Sequence, residues 1–255
     1  MNFVDTHTHM YAEEFDKDRK EVMDKAIKNG ITHFFLPNVD VHSIQPMLNL
    51  CWDYQDNCFP MMGLHPCSVD EHVEAHLFQI QKWFKKRKFY GVGEIGLDYY
   101  WSLDFKEQQI SAFKKQIQWA IQIDLPIVIH SRNSTEDVIS ILKEMHHPRL
   151  RGIFHCFSGN NQQAKEVISL GFLLGIGGVL TFKNGGLDKA IEDIDLKHMV
   201  LETDAPYLAP VPFRGKRNES FYVLEIAKKL AELKNVGLNQ VAEITTQNAL
   251  AVFSV

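Results

Sequence analysis

Short apolar runs rich in β-branched and aromatic residues recur along the chain, each closed by polar or turn-forming residues. They are "NFVDTHTH" from Asn2, "ITHFFLPNV" from Ile31, "FPMMGLHP" from Phe59, "FYGVGEIGLD" from Phe89, "LPIVIHSR" from Leu125, "RGIFHCFSG" from Arg151, "FLLGIGGVL" from Phe172 and "MVLETDAPYL" from Met199. Each has the length and composition of a β-strand. Between them the apolar positions switch to helical spacing, as in Ile110, Phe113, Ile117 and Ile121, and again in Val223, Ile226, Ala227 and Leu230. Gly30 and Gly171 stand just after such stretches, where a C-cap glycine belongs. Eight strand–helix units in 255 residues have the size and rhythm of a (β/α)8 TIM barrel, an α/β fold with residues 1–255 as one domain. An open doubly wound sheet is disfavoured because no G-x-G-x-x-G follows the first strand, and "GIGG" at 175–178 falls on a late strand. The longest loop, Ala205 to Ser220, holds Pro206, Pro210 and Pro212 and reads as an active-site loop.

Residues 3–11, "FVDTHTHMY", read as an extended first strand, so alternation puts Asp5, His7 and His9 on one face. Three polar groups there mean either a solvated face or a bound cation, since two imidazoles two residues apart on a strand can reach one metal.

Composition narrows the class. With 45% hydrophobic and 23% charged residues the chain folds around a substantial core. The net charge of −5 argues against wrapping duplex nucleic acid with a basic surface, yet allows a nucleic-acid substrate held locally by metals and a few arginines. The four cysteines form no C-x-x-C pair and no disulfide framework, which fits a reducing cytoplasm; Cys51 and Cys58 read as packing residues. No signal peptide is visible, and the most apolar stretch, Val167 to Leu180, is broken by Ser169 and four glycines, short of the ~18 residues of a membrane helix. A cytoplasmic location, no membrane contact and no obligate protein partner are the expectations.

Barrel chemistry sits at the C-terminal ends of the strands. There the chain places His7 and His9, then His65, Glu94, His130, His155, and finally Glu202 with Asp204. His7, His9, His130, His155, Glu94 and Asp204 supply four imidazoles and two carboxylates. One catalytic metal needs about three protein ligands. Six donors suggest two divalent ions ~3.5–4 Å apart, bridged by Glu94, with Zn, Mn, Mg, Ni or Fe all compatible.

"DTHTH" at 5–9, "GLHP" at 63–66, "GEIGLDY" at 93–99, "HSR" at 130–132, "HCFSG" at 155–159, "ETDAPYL" at 202–208 and "RGKRN" at 214–218 together resemble the TatD-type metal-dependent deoxyribonucleases, a branch of the amidohydrolase-like metal barrels. The resemblance covers nearly the whole chain. It implies that His7, His9, Glu94, His130, His155 and Asp204 hold the metals and that His65 lies beside the substrate phosphate. One departure is Ser220, where the family often has proline; serine there can cap the following helix.

The candidate catalytic residues are Asp204, Glu202 and His65. Asp204 is placed to take a proton from the attacking water, and His65 to donate to a phosphate oxygen or leaving group. Glu202 is either an acid/base group or a partner that orients a ligating histidine. Asp5 and Asp98 are further candidates for orienting ligand imidazoles. Arg132, sharing a face with His130, is a phosphate fork or a structural ion pair, and Arg214, Lys216 and Arg217 form the densest basic cluster near the mouth. Tyr99, Tyr100 and Trp101 either stack bases or pack under the next helix. No chemistry falls to His33, His42, His72, His76, His146, His147 or His198.

The leading expectation is a metal-dependent hydrolase of DNA ends or single strands, releasing nucleotides by attack of a metal-activated water. The alternative is a small-molecule enzyme opening an amide, ester or lactone with the same centre.

Overall fold

The computed structural model describes all 255 residues. Eight strands, β1 (Phe3–Asp5), β2 (Ile31–Pro37), β3 (Cys58–Met61), β4 (Val92–Asp98), β5 (Ile127–Arg132), β6 (Gly152–Phe154), β7 (Phe172–Ile176) and β8 (Met199–Leu201), follow the eight apolar runs. Nine helices accompany them: α1 (Arg19–Lys28), α2 (Ile44–Asp53), α3 (Val73–Gln81), α4 (Lys106–Ile123), α5 (Thr135–Glu144), α6 (Asn161–Ser169), α7 (Leu187–Ile191), α8 (Val223–Lys234) and α9 (Leu238–Phe253). All neighbouring strands pair in parallel, β1 to β3 in one ladder and β4 to β8 in another.

Backbone bonds across two irregular seams close these ladders into a barrel. Between β3 and β4, Met62 N–H donates to Gly91 O and Gly93 N–H to Met62 O, at 3.1 and 3.2 Å. Between β8 and β1, Thr6 N–H donates to Leu201 O at 3.0 Å and Asp204 N–H to His7 O at 2.9 Å. A strand with both faces covered reads as a continuous apolar run, as the runs of this sequence do.

The barrel interior is divided by height. Its floor is Val4, Phe35, Phe59, Met61, Val128, Ile153 and Val200, sealed from below by Ala249, Val252 and Phe253 of α9. Phe253 stacks on Phe35 with ring centroids 3.7 Å apart. Two residues beyond Val128, Ile153 and Val200 come His130, His155 and Glu202, so the side-chain period of two carries the inward faces from apolar floor to polar mouth. The larger core cluster fills the layer between barrel and helices, where Cys51 of α2 and Cys58 of β3 pack as free thiols.

Several boundaries differ from the sequence reading. The first strand ends at Asp5 rather than residue 11, because His7 to His9 are held by neighbouring carbonyls instead of a ladder: Thr8 N–H bonds Phe35 O and His9 N–H bonds Ala205 O. With Val4 facing the barrel interior, Asp5 turns the other way, away from the imidazoles. β3 stops four residues before His65, and β8 stops before Glu202. Gly30 and Gly171 do follow α1 and α6, at φ 92° and 88°, a region only glycine enters without strain.

The α9 plug generates a test of the floor. Phe253→Ala removes the ring that closes the barrel and should cost about 3 kcal/mol of unfolding free energy, read as a lowered denaturant midpoint. The donor atoms at the opposite end should keep their arrangement, so divalent-cation binding of the folded protein should be unchanged.

Candidate metal centre

Glu94 sits in the middle of the mouth, 3% exposed, on a strand whose neighbours hold it from both sides. Its backbone N–H donates to Asn38 O at 3.1 Å, and the fully buried Asn38 donates through its side chain to Gly63 O at 2.8 Å. The two carboxylate oxygens face different groups. Oε2 lies 3.1 Å from His7 Nε2 and 3.7 Å from His9 Nε2. Oε1 lies 2.9 Å from His130 Nδ1, 3.4 Å from His65 Nε2 and 3.8 Å from His155 Nε2. Asp204 Oδ1 is 3.5 Å from His9 Nε2, 3.7 Å from His7 Nε2 and 3.8 Å from His155 Nε2. His7 and His155 stack with centroids 3.4 Å apart. The structure thus brings together all six residues expected to hold metal. His7, His9 and Glu94 form one donor group, His7, His155 and Asp204 a second, and His65, Glu94 and His130 a third.

Aromatic nitrogens and carboxylate oxygens crowded at these distances present lone pairs to one another, which is unfavourable without protons or cations among them. The donor set therefore fits divalent cations, and an N/O set of this kind suits several of them.

The remote nitrogen of each imidazole decides what its near nitrogen can do. Tyr11 donates its phenolic proton to Pro37 O, so at the 2.9 Å contact with His9 Nδ1 its oxygen accepts. That fixes the proton on Nδ1 and leaves the His9 Nε2 lone pair facing the centre. His65 is the reverse: its Nδ1 accepts from Cys67 N–H at 3.0 Å, so in the neutral ring Nε2 carries the proton and donates. His130 Nε2 contacts Asp98 Oδ2 at 2.8 Å, and His155 Nδ1 lies 3.0 Å from Glu202 Oε1. That last contact is an ion pair whose angles do not make a hydrogen bond. Only His7 Nδ1 lacks a protein group in reach.

These surroundings set the charges. Against burial, the neighbouring His65 and His7 hold Glu94 well below the usual carboxylate range. Asp204 is also lowered despite burial, by His9, His155 and His7. Asp98, again against burial, is drawn to about 2 by His130. Burial lowers His7 and His65. For His130 and His155 burial is outweighed by their carboxylate partners: both are raised, His155 to about 10 by Glu202.

Several expectations need correction. For Glu202 the structure supports the second of its two expected roles, the partner of a ligating histidine, over the acid/base one: it is fully buried, accepts from Cys156 N–H at 2.5 Å and backs His155. The glycine cluster at 175–178 makes room for it, since a Cβ on Gly175 would lie 2.4 Å from Glu202 Oε2. Asp5 orients no imidazole. It accepts from Thr203 N–H at 2.9 Å and Thr203 Oγ1 at 2.6 Å, tying the segment before Asp204 to β1, and burial pushes its carboxyl up to about 7. Ser220 does not cap a helix; its hydroxyl is buried against Thr8 Oγ1 at 3.0 Å, between His7 and His9. Arg217 is not free for phosphate, because it forks onto Asp18 at 2.8 and 2.7 Å. Arg214 stacks over Phe182 and is exposed, as is Lys216, and neither pairs with a carboxylate. Arg132 pairs with no carboxylate either; its guanidinium lies over the Tyr100 ring. Tyr99 packs and donates to Asp137, but Tyr100 and Trp101 are exposed rather than tucked under α4.

Tyr11 and Asn38 carried no role in the sequence reading. Tyr11 stands two residues after His9, the same spacing that separates the ligands themselves, and that was the available signal. Asn38 gave none.

A family model described as TatD related DNase matches residues 4–254 of the chain. The uncharacterized metal-dependent hydrolase YabD of Bacillus subtilis (strain 168) is 38% identical over 252 residues, covering 98% of each chain. The crystal structure of YJJV, a TatD homolog from Escherichia coli K12, aligns with a TM-score of 0.93 at 30% identity, over 99% of this chain and 98% of that one. A hydrolase TatD family protein from Entamoeba histolytica aligns with a TM-score of 0.85 over 99% and 98%; at 20% identity that likeness concerns the fold. No helix of this chain is long and apolar enough to cross a membrane.

The phenol–imidazole contact is testable by cation affinity. Tyr11→Phe leaves His9 Nδ1 without its acceptor and frees the ring to take the other tautomer. Divalent-cation binding, followed by competition with a chromogenic chelator, should weaken about tenfold, with the far-UV spectrum unchanged. Native affinity in the variant would show that the phenol does not set the tautomer.

Proposed function

The chain belongs to the TatD-related DNase family of metal-dependent hydrolases, and from that premise we propose that it hydrolyses phosphodiester bonds at ends or single-stranded stretches of DNA. The observation that carries the reading is Glu94, whose two oxygens face two separate groups of imidazoles. That arrangement supports a pair of divalent cations, one among His7, His9 and Asp204 and one between His130 and His155, with Glu94 common to both. Cations bound there would supply Lewis acidity toward a phosphoryl oxygen and make water a stronger acid.

The chain's own residues do the rest. Asp204, held as a carboxylate, takes the proton of the attacking water. His65, with its proton on Nε2, donates to a phosphate oxygen or to the departing oxygen. Asp98 and Glu202 keep His130 and His155 oriented and electron-rich. Arg132 offers a planar fork that suits phosphate oxygens, and no protein carboxylate competes for it. Arg214 and Lys216 add positive charge along the loop after β8.

Labelled single-stranded oligonucleotides should be degraded from an end, this activity should vanish in excess chelator and return with Mn²⁺, Zn²⁺ or Mg²⁺, and lactones and N-acyl amino acids should be poor substrates. Turnover of the latter alone would establish a small-molecule hydrolase instead. Glu94→Ala should lower cation occupancy at both positions, counted by native mass spectrometry; loss of a single cation would remove the bridging role.

The basic loop has its own test. Arg214→Ala combined with Lys216→Ala should raise KM for oligonucleotides and reduce the slope of log KM against log salt by about one to two, because each contacted phosphate contributes about 0.7 for a single strand. An unchanged slope would mean that the loop does not meet the polyanion.

A further inference from the structure

Next to the proposed metal centre, residues Tyr100 to Leu103 expose a patch that the hydrolysis itself does not use. Tyr100 is 52% exposed, Trp101 71% and Leu103 60%. The Arg132 guanidinium lies 3.6 Å from the Tyr100 ring centroid and 5.4 Å from that of Trp101. The two rings meet edge to face, 4.9 Å apart at 86°. The patch is anchored to the centre through one carboxylate. Asp98 Oδ1 accepts from Tyr100 N–H at 2.9 Å, while its Oδ2 contacts His130 Nε2 at 2.8 Å. Tyr100 is therefore separated from a candidate metal ligand by a single side chain.

We infer that Tyr100, Trp101 and Arg132 form a nucleotide subsite in which Trp101 stacks an unpaired base while Arg132 holds the adjoining phosphate; this rests on the phosphodiester reading above. Two features select that occupant. Stacking on Tyr100 fixes the plane of the guanidinium and leaves its in-plane N–H edge without a protein acceptor, which is the receptor geometry for a phosphate. Edge-to-face packing against Tyr100 holds the indole steady while its face stays open to a planar ring. A ligand that meets both must carry a flat π-system and an anion a few ångströms apart, and a nucleotide does. A base-paired terminus hides its base faces in the stack, so the subsite favours frayed or single-stranded ends and adds affinity without reading sequence.

The test uses the metal-loaded protein and a small chromogenic phosphodiester as reporter, with inorganic phosphate, deoxyribose 5-phosphate, phenyl phosphate and deoxyadenosine monophosphate as competing inhibitors. The nucleotide should inhibit about tenfold more tightly than the sugar phosphate. Trp101→Ala should bring that ratio close to one, and Trp101→Phe should retain most of it. Equal inhibition by nucleotide and sugar phosphate in the native protein overturns the subsite, as does a ratio that survives Trp101→Ala. Phenyl phosphate as tight as the nucleotide overturns its assignment to a nucleobase. If the native protein hydrolyses no phosphodiester, the functional reading has failed, and stacking is read by fluorescence instead: quenching by the nucleotide that disappears in Trp101→Phe supports the subsite, and no quenching overturns it.

Discussion

A carboxylate buried at the centre of a barrel costs several kcal/mol unless charge of the opposite sign surrounds it. Glu94 has five imidazoles around it, of which His130 and His155 are raised by their carboxylate partners, and a bound cation would complete the compensation; the geometry of the mouth follows from this. Asn38, itself anchored on Gly63 O, holds the β4 backbone at Gly93 and Glu94. The histidines arrive from the end of β5 and from the segments that follow β1, β3 and β6, and lie near one oxygen or the other. Below them the same barrel is lined by aliphatic and aromatic side chains and sealed by α9. The polar layer is therefore confined to one end, over a floor that supplies the packing.

Five imidazoles near one carboxylate could all be ligands, and their remote nitrogens separate the roles. His9 gives its Nδ1 proton to a phenol that has already spent its own proton on a carbonyl. His65 receives a backbone N–H at the same atom. One ring thus turns a lone pair to the centre and the other turns a donor. The His130 and His155 rings are each backed by a carboxylate, whereas the partner of His9 is a neutral phenol. The donors around Glu94 are therefore of two kinds, His9 beside Asp204 and a neutral phenol, and His130 and His155 backed by carboxylates.

A second network holds the β8 end of the site. Asp5 binds Thr203, Thr8 binds Ser220, and Asn218 donates to Thr203 O and Tyr207 O. Together they fasten the Ala205–Ser220 loop over the seam between β8 and β1, the place where the regular ladder is interrupted. Asp204 sits there at φ 57°, and its neighbours' hydrogen bonds hold it in that left-handed conformation. Arg217 extends the fastening through Asp18, which is why only part of the basic cluster remains open to a ligand.

The sequence by itself determined the barrel and picked out the histidines and carboxylates that the fold gathers at its mouth. Strand-like runs alternating with helical spacing admit few other topologies, and His, Glu and Asp at successive strand ends must converge once the strands close into a ring. It could not determine which way a side chain turns after a strand stops. Alternation puts Asp5 with His7 and His9, yet the strand ends at Asp5 itself, and Glu202 and Asp204 both lie beyond the end of β8. Nor could it distinguish a free arginine from a paired one: Arg217 meets an aspartate about two hundred positions away, while Arg132 meets none. Tautomers, too, depend on contacts such as Tyr11 to Pro37 and Cys67 to His65, which exist only when segments remote or locally turned are brought to hydrogen-bond distance. Periodicity and residue type are local properties of a chain, whereas partners, protons and charge are properties of the packed molecule.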